Sequence, residues 1–135
     1  MNDDDRQAIL DLIASYSYAY DANDIERLGA LFCQDAVFTF QTTSFTGSGQ
    51  IQQAMAARRQ WLAEQGIQPR HYQTNSTLTP MPEGRVRGRT MLLVTWQRSG
   101  EPEPKVVHTG IYDDEFRKTA DGWRFFTRSA FVDHD

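Results

Sequence analysis

Residues 16–24 read YSYAYDAND. In this run a long apolar stripe ends, and the carboxylate of Asp21 follows it directly. The stripe follows the 3.6-residue spacing of one helix face and consists of Ile9, Leu12, Ile13, Tyr16 and Tyr20. It predicts a first helix over residues 4–21. The helix dipole disfavours an anion at the C-terminal end, so a carboxylate at this position needs a specific role. Catalysis as a general base is one such role.

Two further helices, separated by a short strand, are expected between residues 23 and 66. A second, short helix is expected after a cap at Asn23 or Asp24, and its inward residues are Ile25, Leu28, Leu31 and Phe32. A short strand over residues 36–40 follows. Good helix formers with three spaced apolar residues predict a third helix over residues 50–65, which Gly66 closes.

The second half of the chain is strand-like. Runs of β-branched and aromatic residues separated by short Pro- and Gly-containing breaks predict strands over residues 70–79, 85–97, 106–117 and 123–132. Helices followed by long antiparallel strands are typical of an α+β protein, with the helices packed on one face of a curved sheet. We expect one domain over residues 1–135, with a ligand cavity between the two layers.

The composition argues against several classes of partner. The 135 residues carry a formal net charge of −4, and the basic cluster Arg85, Arg87 and Arg89 fits a solvated hairpin face better than a nucleic-acid site. Neither a secretory signal nor a run able to span a bilayer is recognised. The lone cysteine, Cys33, excludes an intramolecular disulfide and suits a reducing compartment, so we expect a cytoplasmic protein without membrane or nucleic-acid partners.

Two histidines fall on neighbouring strands of the expected sheet. Strand alternation places His71, Gln73, Asn75 and Thr77 on one face of their strand, and it groups His108 with Tyr112 two strands along the chain. Alternation alone leaves open which face is inside. The histidines show neither a His-x-His nor a His-Glu-x-x-His spacing, so no metal site is expected.

These residues together resemble a known family. The run of residues 16–24, the later segments Arg70-His71-Tyr72 and His108-Thr109-Gly110-Ile111-Tyr112, and Gly122-Trp123-Arg124 look like the SnoaL-like proteins. That family lies in the nuclear transport factor two superfamily, which also holds scytalone dehydratase, bile-acid dehydratase and ketosteroid isomerase. The resemblance implies a cone-shaped α+β barrel of cystatin-like fold, with three N-terminal helices on a strongly curved, mostly antiparallel sheet.

The resemblance also implies a catalytic set. Asp21 and His71 match an aspartate and a histidine that remove a proton next to a carbonyl, so that a β-hydroxyl leaves as water. Tyr16, Tyr20 and His108 match groups that assist them. The implied enzyme is a dehydratase or isomerase that needs no cofactor and acts on a small, mainly apolar cyclic ketone or alcohol. Self-association as a homodimer or homotrimer is also expected, because open sheets of this kind usually bury one face against a partner.

The substrate itself is expected to lie in an internal cavity shaped by apolar and a few polar side chains. The residues expected to contact it are Phe38, Phe40, Met55, Trp61, Asn75 and Tyr112. Phe40 stands where scytalone dehydratase has a tyrosine, and a phenylalanine cannot donate a hydrogen bond. This difference argues against scytalone itself as the substrate.

Each site residue also has a purely structural interpretation. Asp21 could cap the second helix, His71 could lie at a strand edge, and His108, Tyr16 and Tyr20 could belong to the core. The terminal His134 is expected to be mobile. The alternative function is then a non-catalytic protein that binds a small ligand or serves as an assembly subunit. Separation of Asp21 from His71, or filling of the cavity by Phe40 and Met91, would favour that alternative.

Overall fold

The computed structural model describes residues 1–134 and contains three α-helices, six strands and one short 3₁₀ turn within them. In chain order these are α1 (Asp3–Asp21), α2 (Ile25–Ala30), β1 (Phe32–Phe40), β2 (Thr43–Thr46), α3 (Ser48–Glu64), β3 (Ile67–Pro80), the turn Pro82–Gly84, β4 (Val86–Arg98), β5 (Lys105–Thr119) and β6 (Gly122–Val132). The strands form one sheet in the order β2-β1-β6-β5-β4-β3. The α+β prediction is confirmed.

The sheet is mixed and open. All neighbouring strands are antiparallel except β1 and β6, which run parallel. Its two edges are β2 and β3, so the expected barrel is a sheet that does not close. Irregular pairing interrupts β1, β3, β4 and β5, and such bulges bend a strand locally.

Two of the helices, α1 and α2, begin at a capping side chain. In α1 the Asn2 side chain accepts a hydrogen bond from the Asp5 amide at 2.7 Å, and the Asp5 carboxylate accepts from the Asn2 amide at 3.2 Å. This reciprocal pair satisfies two of the free amides at the helix start. Asp24 caps α2 by accepting from the Arg27 amide at 3.2 Å, after Asn23 turns the chain with a left-handed φ of 58°.

The chain between residues 31 and 46 differs from the expected arrangement in two ways. Phe32 lies in β1 instead of α2, because the helix ends at Ala30 and the Leu31 carbonyl accepts from the Phe125 amide of β6 at 2.9 Å. The short edge strand β2 was not predicted. It pairs with β1 through a hairpin, in which Gln41 adopts a left-handed backbone conformation. Glutamine is not one of the residue types that favour turns, so the sequence carries no signal for this hairpin.

The core lies between the helices and the inner face of the sheet. Its fully buried members come from every layer and include Ile9, Leu28, Ile51, Phe116 and Phe125. The opposite, outer face of the sheet carries exposed apolar side chains, among them Tyr72, Met91 and Phe131. In residues 1–134, no helix combines the length and the apolar character needed to cross a membrane.

Candidate active site

Asp21 and His71 are in direct contact. The Oδ1 atom of Asp21 lies 2.6 Å from His71 Nδ1, and its Oδ2 atom accepts from the His71 backbone amide at 2.8 Å. Both carboxylate oxygens are therefore engaged by one residue fifty positions along the chain. An ionised carboxylate can only accept, so Nδ1 is the nitrogen that donates to it, and in the neutral imidazole the lone pair lies on Nε2. The two residues form a carboxylate–imidazole dyad.

Asp21 is buried at the end of α1, and its backbone carbonyl has side-chain partners of its own. Its side chain is nearly inaccessible, with the residue 5% exposed. Its backbone carbonyl accepts from Gln68 Nε2 at 2.8 Å and from Nη2 of the buried Arg59 at 3.4 Å. Asp24, and not Asp21, caps the second helix. The structural interpretation of Asp21 as a local cap is thus contradicted.

His71 opens onto a cavity of about 440 Å³ between the helices and the sheet. The cavity wall is formed by Tyr16, Tyr20, Phe38, Phe40, Thr43, Phe45, Ala54, Met55, Arg58, Leu62, Pro69, His71, Val94, Trp96, His108 and Tyr112. Most of these side chains are apolar or aromatic, and the polar groups are few. Such a wall suits an apolar ring system oriented by a small number of hydrogen bonds.

Three tyrosines surround the dyad. The Tyr20 ring packs against the His71 ring with centroids 4.6 Å apart, and the Tyr16 ring lies 6.2 Å from His71 and 5.8 Å from Tyr112. Burial raises the pKa of Tyr16 well above that of a free phenol, and the neighbouring Tyr112 adds to the rise. Burial likewise raises the pKa of Tyr20 and of Tyr112. The three hydroxyls therefore stay protonated and can act as hydrogen-bond donors.

A buried ion pair lies beneath these tyrosines. Arg128 Nε donates to Asp114 Oδ1 at 3.0 Å, and neither side chain has any exposed surface. The Arg128 guanidinium carbon lies 3.5 Å from the Tyr112 ring centroid and 4.2 Å from that of Tyr16. Arg128 Nη2 also donates to the Gln73 side chain. Burial raises the pKa of Asp114 while Arg128 opposes that rise. The Arg128–Asp114 pair therefore packs against the rings of Tyr16 and Tyr112.

His108 lies on β5, which β4 separates from the strand of His71, so the expectation that the two histidines fall on neighbouring strands is wrong. His108 lines the cavity with His71 and has an unexpected partner. Its Nδ1 atom lies 2.8 Å from Nε2 of His134, and the two rings stack with centroids 5.0 Å apart. Burial and the neighbouring His134 lower the pKa of His108. The terminal segment reaches this wall, because Gln41 Nε2 donates to the His134 carbonyl at 3.2 Å.

Two residues expected to contact the substrate are not in the wall. Asn75 is exposed, because a bulge between Thr74 and Thr77, in which Asn75 has a left-handed φ of 58°, breaks the alternation that would have placed it with His71. Trp61 is 40% exposed and packs on Trp96, at the outer side of α3. The four other expected contacts, Phe38, Phe40, Met55 and Tyr112, line the cavity.

Sequence reasoning missed one charged residue of the wall, Arg58. It follows Met55 by three positions on α3, so helical spacing from a residue already assigned to the cavity was the available signal. Among residues 1–134, no group of three His, Cys, Asp or Glu side chains is arranged to hold a metal ion.

An apolar cavity with an aspartate–histidine dyad in its wall, between three helices and an open sheet, defines a small α+β protein of the cystatin-like class. The chain belongs to the SnoaL-like domain family, whose model matches residues 3–129. No curated protein matches it.

Solved structures agree on the fold. ActVI-ORFA of Streptomyces coelicolor is 18% identical, over 96% of this chain and 98% of that one, with a TM-score of 0.88. An NTF2-like protein with a cystatin-like fold from Novosphingobium aromaticivorans is 24% identical, over 98% and 84%, with a TM-score of 0.84. A protein of the same organism provisionally described as a scytalone dehydratase is 22% identical, over 96% and 84%, with a TM-score of 0.81. At these identities the likeness concerns the fold.

Proposed function

We propose that the protein is a cofactor-independent dehydratase or isomerase that acts on a small, mainly apolar cyclic ketone or alcohol. The observation that carries this proposal is the Asp21–His71 dyad in the wall of an apolar cavity. An imidazole whose Nδ1 proton is held by a carboxylate presents Nε2 as a base, and the carboxylate stabilises the imidazolium that forms. Membership of the SnoaL-like family, and the similar fold of a protein provisionally described as a scytalone dehydratase, support the class of reaction.

The reaction begins with proton removal from the carbon next to the carbonyl. His71 Nε2 takes that proton, the C–H bonding pair forms the enolate, and phenol donors stabilise its oxygen. Tyr16, Tyr20 and Tyr112 are the candidate donors, because all three hydroxyls stay protonated. The enolate then re-forms the carbonyl.

The fate of the proton distinguishes the two reactions. In a dehydration, the enolate expels the β-hydroxyl, which takes the proton from the imidazolium and leaves as water. In an isomerisation, the imidazolium returns the proton to another carbon of the conjugated system. His71 ends neutral in both cases, so no external acid, base or electron carrier is consumed.

The cavity wall favours a ring system as substrate. Phe38, Phe40, Met55, Leu62 and Val94 provide apolar contact surface without hydrogen-bonding groups. Burying such surface against a planar ring contributes about 25 cal/mol for each Å² removed from water. A phenylalanine at position 40 removes one possible donor, so orientation of the substrate depends on the tyrosines and histidines.

The non-catalytic alternative lacks the two observations that would favour it. Asp21 and His71 are in contact, and Met91 is 54% exposed on the outer face of the sheet, where it cannot fill the cavity. Phe40 lines the cavity and is itself 41% exposed. The cavity is therefore open beside a complete dyad.

The test is a screen of β-hydroxy cyclic ketones, such as hydroxylated tetralones, for the enone or naphthol absorbance that follows loss of water. We expect at least one of them to be dehydrated by the wild-type protein and not by His71→Gln, while the variant keeps the same circular dichroism spectrum and unfolding midpoint. Equal rates for the two proteins would refute the assigned base.

We also propose self-association as a homodimer or homotrimer. Met91, Ile111 and Phe131 occupy paired positions on three adjacent strands, and Met91 and Phe131 are more than half exposed on the outer face. A contiguous apolar row of this kind is typical of an interface. Light scattering that gave the mass of a monomer would contradict the proposal, whereas a Met91→Glu variant is expected to shift the mass toward the monomer.

A further inference from the structure

Arg58 is the one side chain with a permanent charge among the described residues that line the cavity. The other wall residues are apolar, aromatic or neutral, apart from the two titratable histidines. The carboxylate of the dyad, Asp21, lies behind His71 and is not part of the wall. Arg58 is itself exposed, so the cavity presents, on its solvent side, a fixed positive charge that no wall carboxylate neutralises.

Aromatic contacts hold the Arg58 guanidinium in place. Its central carbon lies 4.7 Å from the Trp61 ring centroid and 5.7 Å from that of Trp96, and the two indoles are 6.0 Å apart. Stacking on indole faces restricts the guanidinium while leaving its edge free to donate hydrogen bonds. In residues 1–134, none of the seven ion pairs includes Arg58.

The charge of Arg58 reaches the groups around the dyad. It lowers the pKa of His108, after the larger effects of burial and of His134. It also opposes the rise in the pKa of Tyr20 that burial causes. Because Tyr20 packs on His71 and His108 lies in the same wall, an anion seated at Arg58 would share one cavity with the proposed base.

We propose that the ligand of this cavity carries a carboxylate, which pairs with Arg58 while its ring system fills the apolar part. The inference rests on the proposed function insofar as it names the substrate class: a cyclic hydroxy ketone with an acidic side group. The guanidinium edge matches a carboxylate with two parallel hydrogen bonds, which fixes the orientation of the ring as well as its affinity. Arg58 is then a specificity-determining residue, and His71 remains the base.

A matched pair of ring probes tests this without any turnover. 2-Naphthoate and 2-naphthamide have the same ring, and at pH 7 only the first is charged. Isothermal titration calorimetry measures both against the wild-type protein, Arg58→Met and Arg58→Lys. The matched control is Arg98→Met, because Arg98 also stacks on Trp96, at 5.9 Å, but does not line the cavity.

We expect the wild-type protein to bind naphthoate more tightly than naphthamide. Arg58→Met should weaken naphthoate binding about tenfold, the size of one lost charge-assisted contact, and leave naphthamide binding unchanged. Arg58→Lys should restore part of the loss, and Arg98→Met should change neither affinity.

Several results would overturn the inference. These are a wild-type protein that does not prefer naphthoate, an equal loss for both probes in Arg58→Met, or the same loss in Arg98→Met. The outcome is separable from the proposed function. Loss of dehydration in His71→Gln with unchanged naphthoate affinity in Arg58→Met would overturn only the carboxylate subsite, and the opposite pattern would overturn only the acid–base assignment.

Discussion

Replacement of Asp21 by asparagine changes two hydrogen bonds and leaves the shape of the side chain intact. The carboxylate accepts from the His71 backbone amide at 2.8 Å and from the His71 ring at 2.6 Å. An asparagine has one accepting oxygen and one donating NH₂ group. The backbone amide can only donate, whereas the imidazole can exchange its tautomer. The oxygen of Asn will therefore face the backbone, and its NH₂ group will face Nδ1.

The expected consequence is a reversed imidazole. With Nδ1 now accepting, the proton moves to Nε2, and the nitrogen that faces the cavity is no longer a base. A reversed tautomer in a histidine–aspartate pair lowers turnover by about 10⁴-fold. Stability changes little, because both hydrogen bonds persist without charge assistance. We expect a loss of about 1–2 kcal/mol in the free energy of unfolding.

Two measurements on the same samples check this prediction. Long-range ¹H–¹⁵N NMR spectra report which ring nitrogen of His71 is protonated, and urea denaturation gives the free energy of unfolding. The matched control is Asp24→Asn, because the Asp24 side chain caps α2 by accepting from the Arg27 amide, and asparagine caps a helix as well as aspartate does. An unchanged His71 tautomer in Asp21→Asn, or unchanged turnover, would refute the reasoning.

Three further predictions follow from the same geometry. Tyr16→Phe removes a buried donor, so we expect turnover to fall about 10- to 100-fold with less than about 1.5 kcal/mol lost in unfolding, while the control Tyr18→Phe, on a 71% exposed residue, changes neither quantity. The pKa of His108 should lie below 6.5 in an NMR titration, chiefly because of burial. Because the pKa of His108 is lower in the folded chain than in the unfolded chain, the unfolded chain takes up this proton more readily. The free energy of unfolding therefore decreases as the pH falls below about 6.5, and a His108 pKa above 6.5 would contradict this. Arg128→Met leaves the Asp114 carboxylate buried and unpaired, so urea denaturation should show a loss of about 3–5 kcal/mol near pH 7, and a loss below about 1 kcal/mol would show that the pair is not desolvated as described.

The sequence predicted well those parts of the fold that depend on local periodicity. The first helix ends at Asp21, and the third spans Ser48–Glu64, close to the expected bounds, because apolar spacing and capping residues act within a few positions. The contact between Asp21 and His71 was predicted through family resemblance. Nothing local in the sequence brings together two residues fifty positions apart.

The parts that the sequence did not predict depend on tertiary contacts. The bulge at Asn75 shifts the register of β3, so simple alternation misplaces every residue beyond Thr74. His134 reaches His108 because Gln41 holds the terminal segment, a contact across 93 positions. Arg58 enters the cavity wall because two indoles support it, one from its own helix and one from β4. Pairings of this kind are properties of the assembled fold.

The most direct test of the central claim is the rate at which the protein exchanges the α-protons of a cyclic ketone with solvent. This rate, followed by NMR for 2-tetralone in D₂O, reports proton removal itself and does not depend on whether dehydration or isomerisation follows. We expect the wild-type protein to exchange these protons faster than buffer alone does, and His71→Gln to exchange them at the buffer rate. Exchange by His71→Gln at the wild-type rate, or no acceleration by the wild-type protein, would contradict the assignment of His71 as the base.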